Sequence, residues 1–246
     1  MVLSQQKPLS SFTYSSKAVG DGENVVLMDG DKIAVLMARY IKEALDAADI
    51  TGLTLGVVQT AYASGNSSKY LKEVVGIAPI FVPTGVKHLH HAATNFDIGI
   101  YFEANGHGTV VFSEKFDQMI RNAEPNSDAM RRLQLFSRVV NEVVGDAMAD
   151  LLVVELLLRW YDFSIEDWER NLYSDAPNVQ LKIPVADRST FKTTYEETAL
   201  LEPEGVQGKI DALVAQYDGA RAFVSGHKMV THKKLEAQII MRSMLR

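Results

Sequence analysis

The sequence contains no cysteine, so no disulfide framework can stabilise its fold, and a reducing compartment suits it. Long hydrophobic runs are also missing from its first residues, M-V-L-S-Q-Q-K-P. These have neither the apolar core of a signal peptide nor the length of a membrane-spanning segment. We therefore expect a cytoplasmic protein that binds no membrane.

Positive charge is scarce as well. Lys and Arg total 25 against 31 Asp and Glu, which gives a formal net charge of −6. A chain with this balance lacks the basic surface that follows a phosphate backbone, so we expect no nucleic acid partner. The 246 residues are 47% hydrophobic, which is enough to fill the core of one or two domains.

Hydrophobic periodicity between residues 25 and about 120 alternates between the patterns of strands and helices. Short β-branched runs predict strands, and longer segments with apolar residues three or four apart predict helices. The predicted strands are 25–28, 53–59, 78–82, 98–102 and 108–113, and the predicted helices are 31–48, 67–75 and 85–95. This order predicts an α/β fold with helices packed on a mixed sheet.

The two ends of the chain show other patterns. Residues 1–24 have no periodicity, and we expect a loose segment there. Residues 127–173 are expected to be helical and to extend the α/β domain, which we place at 25–175. Residues 176–246 predict a small α+β module, with a strand at 178–185, a helix at 208–217, a strand at 221–224 and a helical tail.

The segment Y-F-E-A-N-G-H-G, from Tyr101 to Gly108, places polar side chains on a turn between two predicted strands. Ligands bind at strand ends in open α/β sheets, and the glycines allow positive φ angles there. The carboxylate of Glu103 can accept hydrogen bonds from two sugar hydroxyls, and the Asn105 amide can donate and accept, as an acetamido group requires. The alternative is an ordinary hairpin turn with Glu103 and His107 solvated.

A second polar segment, T-G-V-K-H-L-H-H, follows a predicted strand and a proline. Thr84 is a candidate N-cap, and Gly85 would let the backbone approach a ligand near the N–H groups of the first helical turn. Lys87 and His88 lie nearest this loop. They are therefore the basic residues that we expect to contribute to a site.

Three histidines within this segment also suggest a zinc site. Helical spacing separates them, because Lys87 and His91 share one face of the helix and His88 lies on another. We therefore predict no metal site here. His90 and His91 are expected to be solvated or packed in the core.

These motifs resemble those of the phosphoacetylglucosamine mutase family, in the α-D-phosphohexomutase superfamily. Further similar segments are L-G-V-V-Q-T-A-Y-A-S-G-N-S-S-K-Y-L-K-E, F-D-I-G-I-Y-F-E-A-N-G-H-G-T and P-N-V-Q-L-K-I-P-V-A-D-R. The resemblance covers roughly residues 27–224. It implies a three-layer α/β/α sugar-binding domain at 25–175 with a helical extension, then a truncated α+β module at 176–246 whose tail from Ser225 resembles nothing in the family.

The resemblance also implies an activity. Members of this family convert N-acetylglucosamine 6-phosphate to the 1-phosphate through a phosphoserine and a bisphosphate, with Mg2+ as cofactor, in UDP-N-acetylglucosamine biosynthesis. Proton transfer would fall to Lys87 or His88. The implied partner is a sugar phosphate, bound through the residues of both motifs: Thr84, Gly85, Glu103, Ala104, Asn105, Gly106 and His107.

Three motifs of the family are not found in this sequence. They are T-A-S-H-N-P, which carries the phosphoserine, D-G-D-A-D-R, which holds the magnesium ion, and R-P-S-G-T-E, which binds the substrate phosphate. The string from Asp29 to Lys32 resembles half of the metal motif, but its place before an apolar helix predicts capping by Asp29 or Asp31. Two functions stay open, part of a mutase or a non-catalytic sugar-binding or interaction fragment.

Overall fold

The computed structural model describes residues 12–17, 23–176, 179–225 and 236–242 of the chain. The helices are α1 (Gly30–Ala47), α2 (Gly65–Tyr70), α3 (Val86–Ala93), α4 (Glu114–Phe116), α5 (Asp128–Val139), α6 (Ala147–Tyr161), α7 (Ile165–Asn171) and α8 (Val206–Val214). The strands are β1 (Phe12–Lys17), β2 (Glu23–Met28), β3 (Leu55–Thr60), β4 (Ile80–Val82), β5 (Ile98–Phe102), β6 (Gly108–Phe112), β7 (Val179–Pro184), β8 (Lys192–Thr193), β9 (Leu200–Glu202), β10 (Arg221–Ser225) and β11 (Glu236–Arg242). Single π-helical turns continue α2 over Leu71–Val75 and α4 over Asp117–Arg121, and a 3-10 turn spans Arg188–Thr190.

The principal sheet has four strands in the order β4-β3-β5-β6. β3 runs parallel to β4 and β5, so helices connect these strands, whereas β6 returns antiparallel to β5 through a short turn. The carboxyl ends of β3, β4 and β5 therefore meet at one edge of the sheet. Both polar motifs of the sequence follow strands that end at this edge.

Side chains of β3 and β5 alternate between two hydrophobic cores. Val57 and Ile100 belong to the core that contains α1, while Val58 and Tyr101 pack with Leu89 of α3 on the other face. Successive side chains of a strand point to opposite faces, so helices cover the sheet on both sides. The prediction of an α/β fold with three layers is confirmed.

Helix α1 is enclosed by the sheet on one side and by α5 and α6 on the other. The carboxylate of Asp29 accepts a hydrogen bond from the N–H of Lys32 at 3.0 Å and so caps the helix. Apolar side chains at three- and four-residue spacing are buried along it, among them Ile33, Leu36 and Ile41. Burying each of these contributes roughly 1.5–3 kcal/mol relative to exposure.

The segment predicted to be helical over 127–173 forms three helices, α5, α6 and α7. The side chain of Asp146 caps α6, and Ser164 forms a capping box with Asp167 at the start of α7. The C-cap of α6 is Asp162, whose φ of 53° is left-handed. The segment is helical as predicted, but its capping residues divide it into three helices.

The C-terminal module contains two small sheets. β10, β11 and β7 form an antiparallel sheet with β11 in the centre, and β8 pairs with β9. The module has its own small core, in which Leu200 and Val224 are buried against Val206 and Ile210 of α8. The predicted strands at 178–185 and 221–224 and the predicted helix at 208–217 are found in this module, although Asn178 lies outside the described residues.

Expectations for the two ends of the chain need correction. The tail after Ser225 contains the strand Glu236–Arg242 where a helix is predicted, because pairing with two neighbouring strands outweighs local propensity. The segment 1–24 is not loose throughout, since Phe12–Lys17 is a strand paired with β2. Residues 1–11, 18–22, 226–235 and 243–246 lie outside the described ranges. Within those ranges no helix is long and apolar enough to cross a lipid bilayer.

Candidate functional site

Three loops lie side by side at the carboxyl edge of the principal sheet. The loop after β3 begins at Ala61, the loop after β4 contains Thr84 and Gly85, and the turn after β5 runs from Glu103 to His107. Loops at this edge of an open α/β sheet form its ligand sites. The fold therefore brings the two polar motifs to one place.

A hydrogen bond joins the two motifs. The backbone N–H of Gly85 donates to Oε1 of Glu103 at 3.1 Å. The Glu103 side chain is half-buried, and its Oε2 has no hydrogen bond from any residue that the structure describes. A bond from an amide to a carboxylate is charge-assisted, so it fixes the side chain and holds the second oxygen in place as an acceptor.

The turn is closed by its own polar groups. The N–H of Glu103 donates to the carbonyl of His107, and the N–H of Gly106 donates to the carbonyl of Glu103, both at 2.8 Å. Oδ1 of Asn105 accepts from the N–H of His107 at 2.9 Å, and Gly106 has a φ of 90°, which favours glycine. The exposed Asn105 therefore uses its carbonyl within the turn and offers its NH2 group as a donor.

Helix α1 supports the turn from behind. The N–H of Gly30 donates to the carbonyl of Ala104 at 3.3 Å. A Cβ atom on residue 30 would stand 2.0 Å from the carbonyl oxygen of Glu103, so only glycine permits this approach. The positive end of the α1 dipole thus faces the backbone carbonyls of the turn.

Thr84 does not cap α3, contrary to the sequence prediction. The N-cap is Gly85, whose φ of 127° is one that L side chains rarely adopt. The hydroxyl and the N–H of Thr84 both donate to Oε2 of Glu197, at 2.7 and 3.2 Å. A charged acceptor from the C-terminal module replaces the local capping bond, and no local pattern in the sequence indicates Glu197.

The basic residues of α3 point in different directions, as their helical spacing requires. The ring of His88 is half-buried and lies beside Gly85, where an added Cβ would be 3.6 Å from its Cδ2 atom. Lys87 is exposed. His90 is exposed, and its ring meets Tyr101 edge-on with Nδ1 at 3.1 Å from the hydroxyl.

The string from Asp29 to Lys32 is engaged in contacts within the protein. Asp29 caps α1 as predicted, whereas Oδ2 of Asp31 accepts from the N–H of Ser64 at 2.6 Å, in the loop after β3. Burial raises the pKa of Asp29 to about 6, and the hydrogen bond from the N–H of Lys32 opposes that rise. The buried ammonium of Lys32 lies 3.5 Å from a carboxylate oxygen of Asp175.

These residues do not suit a magnesium ion. Both aspartates already accept hydrogen bonds from backbone N–H groups. The ammonium of Lys32 already supplies a positive charge beside the carboxylate of Asp175, where a metal ion would have to bind. Within the part of the chain that the structure describes, no group of three or more His, Cys, Asp or Glu side chains could hold a metal. The magnesium site implied by the resemblance has no match among them.

Comparison with known proteins gives one consistent result. A family model described as phosphoacetylglucosamine mutase AMG1, domain III, matches residues 29–163. The Candida albicans protein named phosphoacetylglucosamine mutase is 46% identical over 235 residues, which cover 89% of this chain and 43% of that protein. The chain thus spans less than half the length of this curated relative.

Solved structures agree with the sequence comparison. An N-acetylglucosamine-phosphate mutase of the α-D-phosphohexomutase superfamily, in its substrate complex, has a TM-score of 0.81 and 44% identity, over 89% of this chain and 41% of that chain. The Aspergillus fumigatus N-acetylphosphoglucosamine mutase in complex with GlcNAc-6P and magnesium has a TM-score of 0.85 and 37% identity, over 98% of this chain and 50% of that chain. Both the sequence and the fold of these relatives are therefore similar to this chain over 89% or more of its length.

Proposed function

Since the chain belongs to the phosphoacetylglucosamine mutase family, we propose that it is the sugar-binding part of an enzyme that interconverts N-acetylglucosamine 6-phosphate and 1-phosphate. The hydrogen bond from Gly85 to Glu103 carries this proposal, because it unites both polar motifs in one site. A relative is in complex with GlcNAc-6P. The 1-phosphate product would supply UDP-N-acetylglucosamine synthesis, and the cytoplasm is the compartment that the cysteine-free sequence favours.

The turn from Glu103 to His107 recognises the sugar in this proposal. Oε2 of Glu103 accepts hydrogen bonds from ring hydroxyls, and the NH2 group of Asn105 donates to the carbonyl of the acetamido group. Ala104 and Gly106 bring the backbone close to the sugar, and His107 forms the exposed rim. Each bond contributes roughly 0.5–1.5 kcal/mol, or about 1.5–3 kcal/mol where a charged group takes part, so the affinity is in the millimolar range.

The loop after β4 completes the site. Thr84 and Gly85 form this loop, and the N–H of Gly85 holds the carboxylate of Glu103. Lys87 and His88 are the titratable side chains that follow on α3. One of these two moves the proton of the reacting hydroxyl, because a general acid or base must lie within hydrogen-bond reach of that oxygen. His88 lies beside the loop and Lys87 on the exposed side of it.

Titration of the isotope-labelled chain with N-acetylglucosamine 6-phosphate tests the binding site by NMR. We expect amide shifts within residues 84–88 and 103–107 in the wild type and their loss in Glu103→Ala. The control is Glu124→Ala, which removes an exposed carboxylate outside the site and should leave the shifts unchanged. A wild type without shifts, or shifts that persist in Glu103→Ala, would refute the proposed site.

A non-catalytic sugar-binding or interaction fragment is the second candidate, and it is favoured by the motifs that the sequence lacks. Phosphoryl transfer depends on a positioned nucleophile, a cation and a phosphate clamp, and none of the three corresponding family motifs is found. We expect the purified chain to form no N-acetylglucosamine 1-phosphate, with or without magnesium. Product above that of a heat-inactivated control would show that this chain is catalytic.

A further inference from the structure

Thr84 and Gly85 bind two carboxylates with consecutive backbone N–H groups. Thr84 donates its N–H and its hydroxyl to Oε2 of Glu197, and Gly85 donates its N–H to Oε1 of Glu103. Glu103 is the acceptor of sugar hydroxyls in the proposed function. Glu197 lies 113 residues after Thr84, on the turn between β8 and β9 of the C-terminal module.

We propose that Glu197 is a positioning residue of the sugar site. Its carboxylate holds Thr84, and through the adjoining N–H of Gly85 it fixes the carboxylate of Glu103. The inference rests on the proposed function, since it assigns Glu197 a role in shaping that same site. Glu197 acts through the loop after β4, so it is not a catalytic residue.

Backbone hydrogen bonds fix the conformation of the turn that carries Glu197. The N–H of Thr194 donates to the carbonyl of Ala199 at 2.8 Å, and the N–H of Glu197 donates to the carbonyl of Thr194 at 3.0 Å. Glu197 itself has a φ of 58°, in the left-handed region that glutamate seldom occupies. Such a conformation persists where surrounding contacts fix it, and the two hydrogen bonds from Thr84 are contacts of this kind.

The same module also holds a second loop at this edge of the sheet. Nη2 of Arg221 donates to the carbonyl oxygen of Ala61 at 3.2 Å and to that of Ala63. The ring of Phe223 packs edge-on against Tyr62, with centroids 5.4 Å apart. The module is therefore anchored on the loop after β3, and from there Glu197 reaches the loop after β4.

Through these contacts the position of the C-terminal module determines the position of the Glu103 carboxylate, which accepts the sugar hydroxyls. A displacement of the turn that carries Glu197 moves Thr84, and the next residue in the chain is the one that holds Glu103. Both links end on a carboxylate, and a hydrogen bond to a charged acceptor is stronger than one between neutral groups. A residue that only stabilised the module would leave the Glu103 carboxylate unaffected when it was removed.

Three variants of the full chain separate these roles. Glu197→Ala removes the acceptor, and Glu197→Gln keeps an oxygen at the same reach. Glu196→Ala is the matched control, because it removes a half-buried carboxylate one residue away. Two quantities are measured in each, the hydrogen-exchange rate of the Gly85 amide without ligand and the dissociation constant for N-acetylglucosamine 6-phosphate by NMR.

We expect Glu197→Ala to raise the exchange rate at Gly85 roughly tenfold and to weaken binding about threefold or more, while Glu197→Gln restores most of both. Glu196→Ala should change neither. An unchanged exchange rate in Glu197→Ala, or equal effects of Glu196→Ala, would overturn the proposal. If the wild type binds no sugar phosphate, the proposed function fails, and the exchange rates alone decide the positioning role.

Discussion

Gly30 occupies a place where no side chain fits. Its Cα packs against the turn that carries Glu103, and a Cβ would lie 2.0 Å from the Glu103 carbonyl oxygen. We expect Gly30→Ala to destabilise the fold by roughly 1–3 kcal/mol, because the clash with backbone outweighs the gain in helix propensity. Urea unfolding measures the difference.

Gly208 gives the matched control for this change. It lies in helix α8, and a Cβ there would meet nothing within 4 Å. Gly208→Ala should therefore stabilise the chain by about 0.5–1 kcal/mol. Equal changes in the free energy of unfolding for the two substitutions, or a stabilising Gly30→Ala, would show that the turn does not pack closely against α1.

Asp150 is a second residue whose surroundings make a measurable prediction. It is 5% exposed in the first turn of α6, and burial, with the nearby charge of Asp146 adding to it, raises its pKa from 3.8 to about 7. The folded chain keeps this proton between pH 4 and 7 while the unfolded chain has lost it. Stability contributed at this position is therefore present at low pH and lost as the pH rises through 7.

We expect Asp150→Asn to be more stable than the wild type by more than about 1 kcal/mol at pH 8 and equal to it below pH 4, since each pKa unit is worth about 1.4 kcal/mol. Unfolding curves at both pH values test this. Asp128→Asn, an exposed acid in the first turn of α5, should show no such gain at pH 8. A gain for Asp150→Asn that is independent of pH would contradict the burial argument.

The sequence could reveal only part of this site, and distance along the chain explains which part. Glu103 and Asn105 are recognisable because the turn and its flanking strands are local. Gly30 and Glu197 are not, because each meets the site only after the fold is complete. The prediction for Thr84 is wrong for the same reason. A threonine before a helix predicts an N-cap, but the carboxylate that accepts its hydrogen bond is 113 residues away.

Among the elements, β11 has the largest consequence for the C-terminal module. Its backbone pairs with β10 on one side and β7 on the other, with Ile239 opposite Val224 and Leu181. Ile239→Pro removes an N–H and blocks regular pairing, so we expect the amides of β10 and β7 to lose protection from hydrogen exchange. Ile239→Val should preserve it, and the amides of β5 should stay protected in both variants. Full protection of β10 in the proline variant would mean that β11 does not hold the sheet together.

Elements with strong local periodicity are those that the sequence predicts well. The strand at 98–102 is found at Ile98–Phe102, and the helix expected over 31–48 forms at Gly30–Ala47. The tail is predicted poorly, because its scattered apolar residues favour no period and pairing with neighbouring strands decides its conformation. The breaks in the segment 127–173 depend on capping side chains, which act at single positions that an overall helical pattern conceals.

At the scale of the molecule, one face of α6 is open to solvent. Met148, Leu152 and Leu156 follow one another at four-residue spacing and are exposed, and Trp160 continues the row. Apolar surface of this kind promotes association. We expect low solubility of the isolated chain and a clear improvement in Leu152→Lys, measured by light scattering over a concentration series.

The control for this substitution is Leu201→Lys. Leu152 and Leu201 are each 61% exposed, and Leu201 lies on β9, outside this face. The same charge change at Leu201 should therefore leave association nearly unchanged. Equal improvement from both would indicate that net charge, not the α6 face, governs solubility.

The central claim is that the turn from Glu103 to His107 binds N-acetylglucosamine phosphate together with the loop at Thr84 and Gly85. Intermolecular nuclear Overhauser effects from the acetamido methyl group of N-acetylglucosamine 6-phosphate to the labelled chain test it most directly. The account predicts contacts to protons of residues 103–107, further contacts from the ring protons to residues 84–88, and the loss of both in Glu103→Ala. Contacts located elsewhere on the chain, or none at saturating sugar phosphate, would contradict it.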